Sequence, residues 1–313
     1  MEDKVYVTGA TGRLGKVVMR RLESAIPLVR KKSGLPGEIV TDFSKDDLWR
    51  ILADAKAVIH LAGSRDFLDE RKAREGNVEL TRRIVEALPK NARIIFAGSI
   101  SVYGKKMAQV PADENTETRP DTPYARTKLE AEGIVAKHKS HVILRVGPIY
   151  GSGFEEYSKV LDKIARGKMK IIGDGSNRIP FVHVEDVAAV IENALERGQG
   201  TYVIVGECLG QDRVYEIAAK ALGASPPKSH IPVILAKLFA SFELFRTTHF
   251  GGKPVFIPED VAVLSSDRAF NCEKAKKELF FAPIPLEQGI QEMVRQHKHP
   301  YKISPGDNSE GNI

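Results

Sequence analysis

Cysteine is nearly absent from this chain: Cys208 and Cys272 are the only two in 313 residues. Two thiols that far apart form no CxxC redox pair and no metal-ligand cluster. A disulfide scaffold is therefore excluded, and two ordinary buried thiols in a reduced, cytoplasmic protein are expected. Long apolar runs are missing too, since none reaches the roughly 18 to 20 residues that span a bilayer. The nearest, Ile231 to Phe245, is interrupted by Lys237 and Glu243. A buried lid helix is expected there, with a place on a membrane surface as the alternative. No secretory signal is expected, because Val5 to Thr8 runs straight into a glycine-rich loop. Aromatic-plus-basic motifs for RNA or DNA are lacking, so the net charge of +6 permits binding of an anion but no nucleic acid is expected as a partner. Nothing requires a metal, and His297 and His299 read as part of a solvated tail.

What the chain does contain is alternation. Apolar runs at Val5–Thr8, Ile26–Val29, Ile39–Val40, Ala57–Leu61, Arg93–Ala97, Val142–Val146 and Thr201–Val205 predict strands. Helical patterns fall between them at Arg13–Ser24, Lys45–Asp54, Leu68–Leu88, Pro123–Lys137 and Glu185–Arg197. Strand, helix, strand in that order predicts an α/β fold, a doubly wound parallel sheet of Rossmann type covered on both faces. After Gly151 the order loosens into helical patterns separated by prolines, at Glu155–Arg166, Val214–Leu222, Val233–Phe245, Glu273–Phe280 and Leu286–Gln296. The expected organisation is a dinucleotide-binding domain at 1–150 plus about 183–206. A smaller, discontinuous, mostly helical substrate-binding lobe at 151–182 plus about 207–298 would follow, then a frayed tail at 299–313.

Three glycines sit where the first strand meets the first helix, in Thr8-Gly9-Ala10-Thr11-Gly12-Arg13-Leu14-Gly15. Glycine lets backbone approach a pyrophosphate, and the helix N-terminus offers unpaired N–H groups and partial positive charge. Gly9, Thr11, Gly12, Arg13, Leu14 and Gly15 are thus expected to hold a dinucleotide. At the end of the second strand, where an NAD site usually carries Asp or Glu for the ribose, the chain reads Arg30-Lys31-Lys32. Arg30 suits a 2′-phosphate, which favours NADP over NAD. Asp42, followed by Phe43, can accept from an adenine amino group, and Ala62 and Gly63 after Leu61 leave room for the dinucleotide.

Tyr124 and Lys128 lie four residues apart and share a helix face. A lysine ammonium there favours the tyrosinate, so the phenol can exchange a proton with an alcohol or ketone. Thr122 followed by Pro123 predicts the N-cap and first turn of that helix.

With these residues in place, the chain resembles the extended short-chain dehydrogenase/reductase family. That family includes nucleotide-sugar epimerases, dihydroflavonol reductases and 3β-hydroxysteroid dehydrogenases. The likeness runs from about residue 4 to 295 and rests on TGATGRLG at 8–15, HLAG at 60–63, NVELT at 77–81, AGSISVYG at 97–104, YARTK at 124–128, LRVGPIYG at 144–151 and FVHVEDVA at 181–188. It implies Tyr124 as the proton-exchanging group, Ser99 as the hydroxyl that polarises the carbonyl, Lys128 on the nicotinamide ribose, and Asn77 in a relay or helix-shaping role. Ser101 is the lesser candidate beside Ser99. Pro148 and Ile149 complete the implied cofactor site. Pro148 also stands where sugar-nucleotide members usually carry Asn, which points toward the reductase and steroid-dehydrogenase side. The resemblance further implies a homodimer through the helices of Asn77 and Tyr124, with Leu129, Ile134 and Val135 as an apolar stripe that could equally face the sheet. The leading expectation is an oxidoreductase acting on a secondary alcohol or ketone of a small-molecule substrate. The alternatives are a nucleotide-sugar epimerase or dehydratase with recycled NAD, and a non-enzymatic dinucleotide sensor. His183 and Asp186 are expected to bond and cap a helix start.

Overall fold

Near-continuous apolar runs such as Val58-Ile59, Ile94-Ile95-Phe96 and Val142-Ile143-Leu144 can be satisfied only by a sheet buried on both faces, and these residues are all but inaccessible to solvent. The computed structural model describes residues 4–64, 69–252 and 256–298. Leu68 and the tail expected at 299–313 lie outside the described residues.

Seven strands pair in one all-parallel sheet: β1 (Lys4–Thr8), β2 (Ile26–Val29), β3 (Ile39–Val40), β4 (Ala55–His60), β5 (Arg93–Ser99), β6 (His141–Val146) and β7 (Gly200–Ile204). Their spatial order is β3-β2-β1-β4-β5-β6-β7. The chain works outward from β1 to β3, then crosses back to start β4 on the other side of β1. That reversal opens a crevice beyond the carboxyl ends of β1 and β4, where Thr8 and His60 stand in register.

Helices cover both faces. Helix α1 (Arg13–Arg21) packs beside α7 (Val184–Asn193) over Val17, Val18, Val187 and Ile191. Helices α2 (Lys45–Ile51), α4 (Leu80–Ala87) and α5 (Pro123–Val135) close the other face through Leu48, Ile84 and Val135. Val135 therefore faces the sheet, and Leu129 packs against a core cluster as well, so neither forms part of an outer stripe. The helix expected as one span to Leu88 is three pieces. A five-residue α3 (Glu70–Arg74) passes through a π-helical turn at Glu75–Glu79 into α4.

The local start signals act as their chemistry dictates. Ser44 caps α2 by accepting from the Asp47 N–H (3.4 Å), and Thr122 caps α5 by accepting from the Ala125 N–H (3.1 Å) with Pro123 next. His183 caps α7, its Nδ1 accepting from the Glu185 N–H, whereas Asp186 instead accepts from the Ile284 N–H (3.1 Å).

Beyond Gly151, helices α6 (Glu155–Ala165), α8 (Gln211–Leu222) and α12 (Leu286–Lys298) enclose a cluster of their own around Leu161, Ile164, Tyr215 and Ile290. Helices α9 (Val233–Phe250) and α10 (Pro258–Leu264) pack together over Ala236, Ala240 and Val261, and α11 (Glu273–Leu279) lies by β7. One expectation fails here. The apolar helix within Ile231–Phe245 is not buried: its fully buried residues are small or polar, and most of its large apolar residues are exposed. Cys272 is buried as expected, but Cys208 is only partly so.

Candidate active site

Gly9 ends β1 with φ of +73°, a conformation open to glycine. A Cβ there would sit 2.6 Å from the Ala62 nitrogen, so the turn after β1 and the loop after β4 touch backbone to backbone. The next turn runs through exposed Thr11 and Gly12 into α1, whose N-cap, Gly12, supplies no side-chain cap. The first N–H groups of α1 therefore point from Arg13, Leu14 and Gly15 toward the crevice without a side-chain acceptor, the arrangement that suits an anion. Arg13 itself is held away from the loop, bonded to Glu156 and stacked 4.2 Å over the Phe154 ring.

At the far end of this crevice Arg30 follows β2, exposed and without an ion pair among the described residues. Asp42 lies near it on the loop after β3, exposed. One carboxylate oxygen accepts the Ser44 N–H (2.7 Å), a bond that lowers its pKa. Phe43 is buried with φ of +58°, an uncommon backbone state for a bulky residue. It is held there by the Thr41 hydroxyl on its N–H (3.0 Å) and by Arg83 donating to its carbonyl (3.1 Å).

The opposite wall is α5 and the end of β5. Ser99 closes β5, and its oxygen accepts from the Ser101 N–H (3.1 Å), which leaves its own O–H free to donate. The Ser101 hydroxyl is buried with no hydrogen-bond partner. The short 3-10 turn that follows, Ile100–Tyr103, packs against α5, which brings the strand end of Ser99 beside the helix of Tyr124 and Lys128. Tyr124 is partly exposed in the first turn. Lys128, one turn on, is buried. Its Nζ donates to the Ala97 carbonyl (2.7 Å) and lies 4.6 Å from the centre of the Phe96 ring. Desolvation pulls its pKa from the ordinary 10.5 to about 8, against the pull of Glu132. A Cβ on Gly63 would reach 3.6 Å from Nζ and 2.6 Å from Asn77 Oδ1, so the loop after β4 passes directly in front of both.

Asn77 occupies the π-helical turn. Its Nδ2 donates to the Ser64 carbonyl (2.9 Å) and the Thr127 hydroxyl (3.0 Å), and its Oδ1 accepts the Ser64 N–H (2.9 Å). Beneath it runs a directed chain of bonds. The Thr81 hydroxyl donates to the Asn77 carbonyl, so its oxygen is left to accept from His60 Nε2–H (2.9 Å). His60 Nδ1 then accepts from the Thr8 hydroxyl (2.7 Å), whose oxygen takes the Ala62 N–H (3.3 Å). That order requires a neutral imidazole. Full burial, helped by Lys128, supplies one by pushing the His60 pKa down to about 3. Pro148 and Ile149 follow β6, where the Pro148 carbonyl accepts the Val182 N–H (3.0 Å) and Ile149-Tyr150 pairs with Val182-His183.

The glycine turn, Leu61 to Gly63, Ser99, Asn77, Tyr124 and Lys128 thus stand at the carboxyl ends of β1, β4 and β5 and on the two helices above them. Residues 5–206 match the family described as NAD dependent epimerase/dehydratase. The chain belongs to that family. Its relatives include dehydrogenases and epimerases, and the protein is an enzyme of this NAD-dependent group. It is 28% identical to a 3beta-hydroxysteroid-dehydrogenase/decarboxylase of Arabidopsis thaliana, over 78% of this chain and 63% of that protein, so it spans a little under two thirds of that relative's length. It is 25% identical to the N-acetyl-alpha-D-glucosaminyl-diphospho-ditrans,octacis-undecaprenol 4-epimerase of Escherichia coli O157:H7, over 94% of this chain and 95% of that protein. In fold it matches the UDP-N-acetylglucosamine 4-epimerase of Bacillus cereus with a TM-score of 0.73 at 22% identity, over 95% of this chain and 97% of that one.

Sequence reasoning missed Thr127, Ser64 and the Thr8–His60–Thr81 chain. Thr127 lies between Tyr124 and Lys128, and a hydroxyl on the buried side of a helix was the available signal. Ser64 carried none, because its bonds to Asn77 depend on how a loop folds back.

Proposed function

We propose that this enzyme interconverts a secondary alcohol and a ketone with NADP(H) as redox partner and Tyr124 as acid/base. The observation that supports it most directly is Lys128: a buried cation, one turn along α5 from Tyr124, behind a glycine at the mouth of the crevice. The residues present suit a dinucleotide. An uncapped helix N-terminus offers N–H groups to the pyrophosphate, and the backbone of Gly63 leaves open the space a side chain would fill in front of Lys128. When bound, the dinucleotide supplies or accepts the hydride.

The protein's own residues handle the oxygen and its proton. The Ser99 O–H, free to donate, bonds the substrate oxygen and polarises the C–O bond. Tyr124 gives its phenolic proton to that oxygen in reduction and takes it back in oxidation. One Lys128 proton is committed to Ala97; the other two are available to a ribose hydroxyl, and the ammonium favours the tyrosinate. Asn77 holds Ser64 and Thr127 and so keeps the loop and α5 at fixed separation. Arg30 is proposed to read the 2′-phosphate, which favours NADP over NAD, and residues 151–182 with 207–298 are proposed as the substrate lobe.

Pro148, in place of an amide that could bond a sugar nucleotide, supports a moderately apolar substrate, as does the likeness to the 3beta-hydroxysteroid-dehydrogenase/decarboxylase. The second reading is an epimerase, favoured by the near full-length match to the Escherichia coli protein. Tyr124→Phe is expected to lower turnover by about a hundredfold or more while dinucleotide affinity stays within a few-fold. Turnover that survives this change overturns the proposed chemistry. NADPH that exchanges freely supports the reductase, whereas NAD retained through purification supports the epimerase.

A further inference from the structure

Helix α9 is built inside out. Over its 18 residues, Ala236, Ala240, Glu243 and Thr247 face the protein, and most of the large side chains face away. Ile234, Leu235, Leu238, Phe239, Phe242 and Phe245 are each between 55% and 74% exposed. At helical spacing they fall within an arc of about 140°. Six half-exposed chains of this size present on the order of 500 Å² of contiguous apolar surface, near the upper end for a monomeric soluble protein. We propose that this face of α9 seats the enzyme on the surface of a bilayer bearing anionic headgroups.

Charge selects that occupant. The only carboxylate on α9, Glu243, is buried and paired with Arg246 at 2.9 Å. Lys237 flanks the apolar arc, exposed, and shares a groove of about 520 Å³ with Lys105, Lys106 and Arg119. Asp121, the acid lining that groove, is bonded to Lys105 at 2.8 Å, and Lys105 also pairs with Glu259 at 2.9 Å. Lys237 and Lys106 have no ion pair among the described residues. An apolar strip edged by unpaired cations complements headgroup phosphates above acyl chains. A second copy of the chain fits less well, because a two-fold contact sets the same patch against itself and brings Lys237 toward its mate with no free carboxylate on the helix. The helix lies on the bilayer and does not cross it: among the described residues none is long and apolar enough to do so. The proposal is independent of which reaction the enzyme performs.

The test is co-sedimentation of the full chain with vesicles of phosphatidylcholine mixed with phosphatidylglycerol, and with phosphatidylcholine alone. The protein is expected in the pellet, more so with the anionic lipid. Leu238→Ser combined with Phe242→Ser is expected to weaken partitioning by about tenfold or more, and Lys237→Glu to abolish the preference for phosphatidylglycerol, with thermal midpoint and dinucleotide affinity unchanged. A protein that stays in the supernatant with both vesicles overturns the proposal. So does a double-serine variant that partitions like the parent, or an ultracentrifugation result in which the parent is a dimer and the double-serine variant a monomer.

Discussion

The Asn77 amide donates at once to the Ser64 carbonyl and the Thr127 hydroxyl, at 2.9 and 3.0 Å, so one side chain in a π-helical turn ties the loop after β4 to the helix of Tyr124 and Lys128. π-helical turns concentrate at functional sites, where they re-aim a side chain that a regular helix would direct elsewhere.

Replacing that amide by an apolar group of similar size removes three bonds and leaves the Ser64 N–H and carbonyl to find other partners. Asn77→Leu is expected to cost about 1 to 3 kcal/mol of stability in urea unfolding. Turnover should fall further than dinucleotide affinity, because the separation of loop and helix would no longer be held.

Lys128 links stability and activity to pH in opposite directions. Its folded pKa is about 8 and its unfolded value near 10.5, so between them the unfolded chain binds the extra proton and the stability of the fold rises with pH. Activity that needs the charged ammonium should instead fall as pH passes about 8. Lys128→Met is expected to abolish turnover yet raise the urea midpoint at pH 7, with the gain shrinking above pH 8. A midpoint below that of the parent at neutral pH would contradict this.

Behind Ser99, Arg145 donates to Glu132 (3.0 Å) and to the Tyr103 hydroxyl (2.8 Å), all of them buried. Arg145→Met strands the buried Glu132 carboxylate, whose pKa burial already raises. Urea unfolding should report a loss of about 3 to 5 kcal/mol, most of it recovered when Glu132→Gln is added.

Arg30 tests the choice of dinucleotide. Arg30→Ala is expected to weaken NADPH by about tenfold and leave NADH nearly unchanged, since one charge-assisted contact is lost only with the 2′-phosphate. Equal effects on both in a fluorescence titration would remove Arg30 from that role.

Much of the candidate site is legible in the sequence, because it depends on local pattern. The strand Val5–Thr8, the glycines after it and the Thr122-Pro123 start of α5 each declare themselves within a few residues, and helix spacing puts Tyr124 and Lys128 on one face whatever surrounds them. The alternation of apolar runs with helical periods likewise dictates a parallel sheet with two covered faces.

Tertiary structure decided the rest. Nothing near Lys128 in sequence reveals that Phe96 and Ala97 bury it, and burial is what lowers its pKa. The orientation of His60 depends on Thr8 and Thr81, 52 and 21 residues away, because a buried imidazole takes its tautomer from its neighbours. Helix α9 makes the same point in reverse. Its apolar composition predicted a buried segment, but only the docking of its Ala236–Ala240 side on Val261 determined which face reached solvent. Local pattern specifies which elements form and what chemistry they hold; burial and partner choice arise only when distant segments meet.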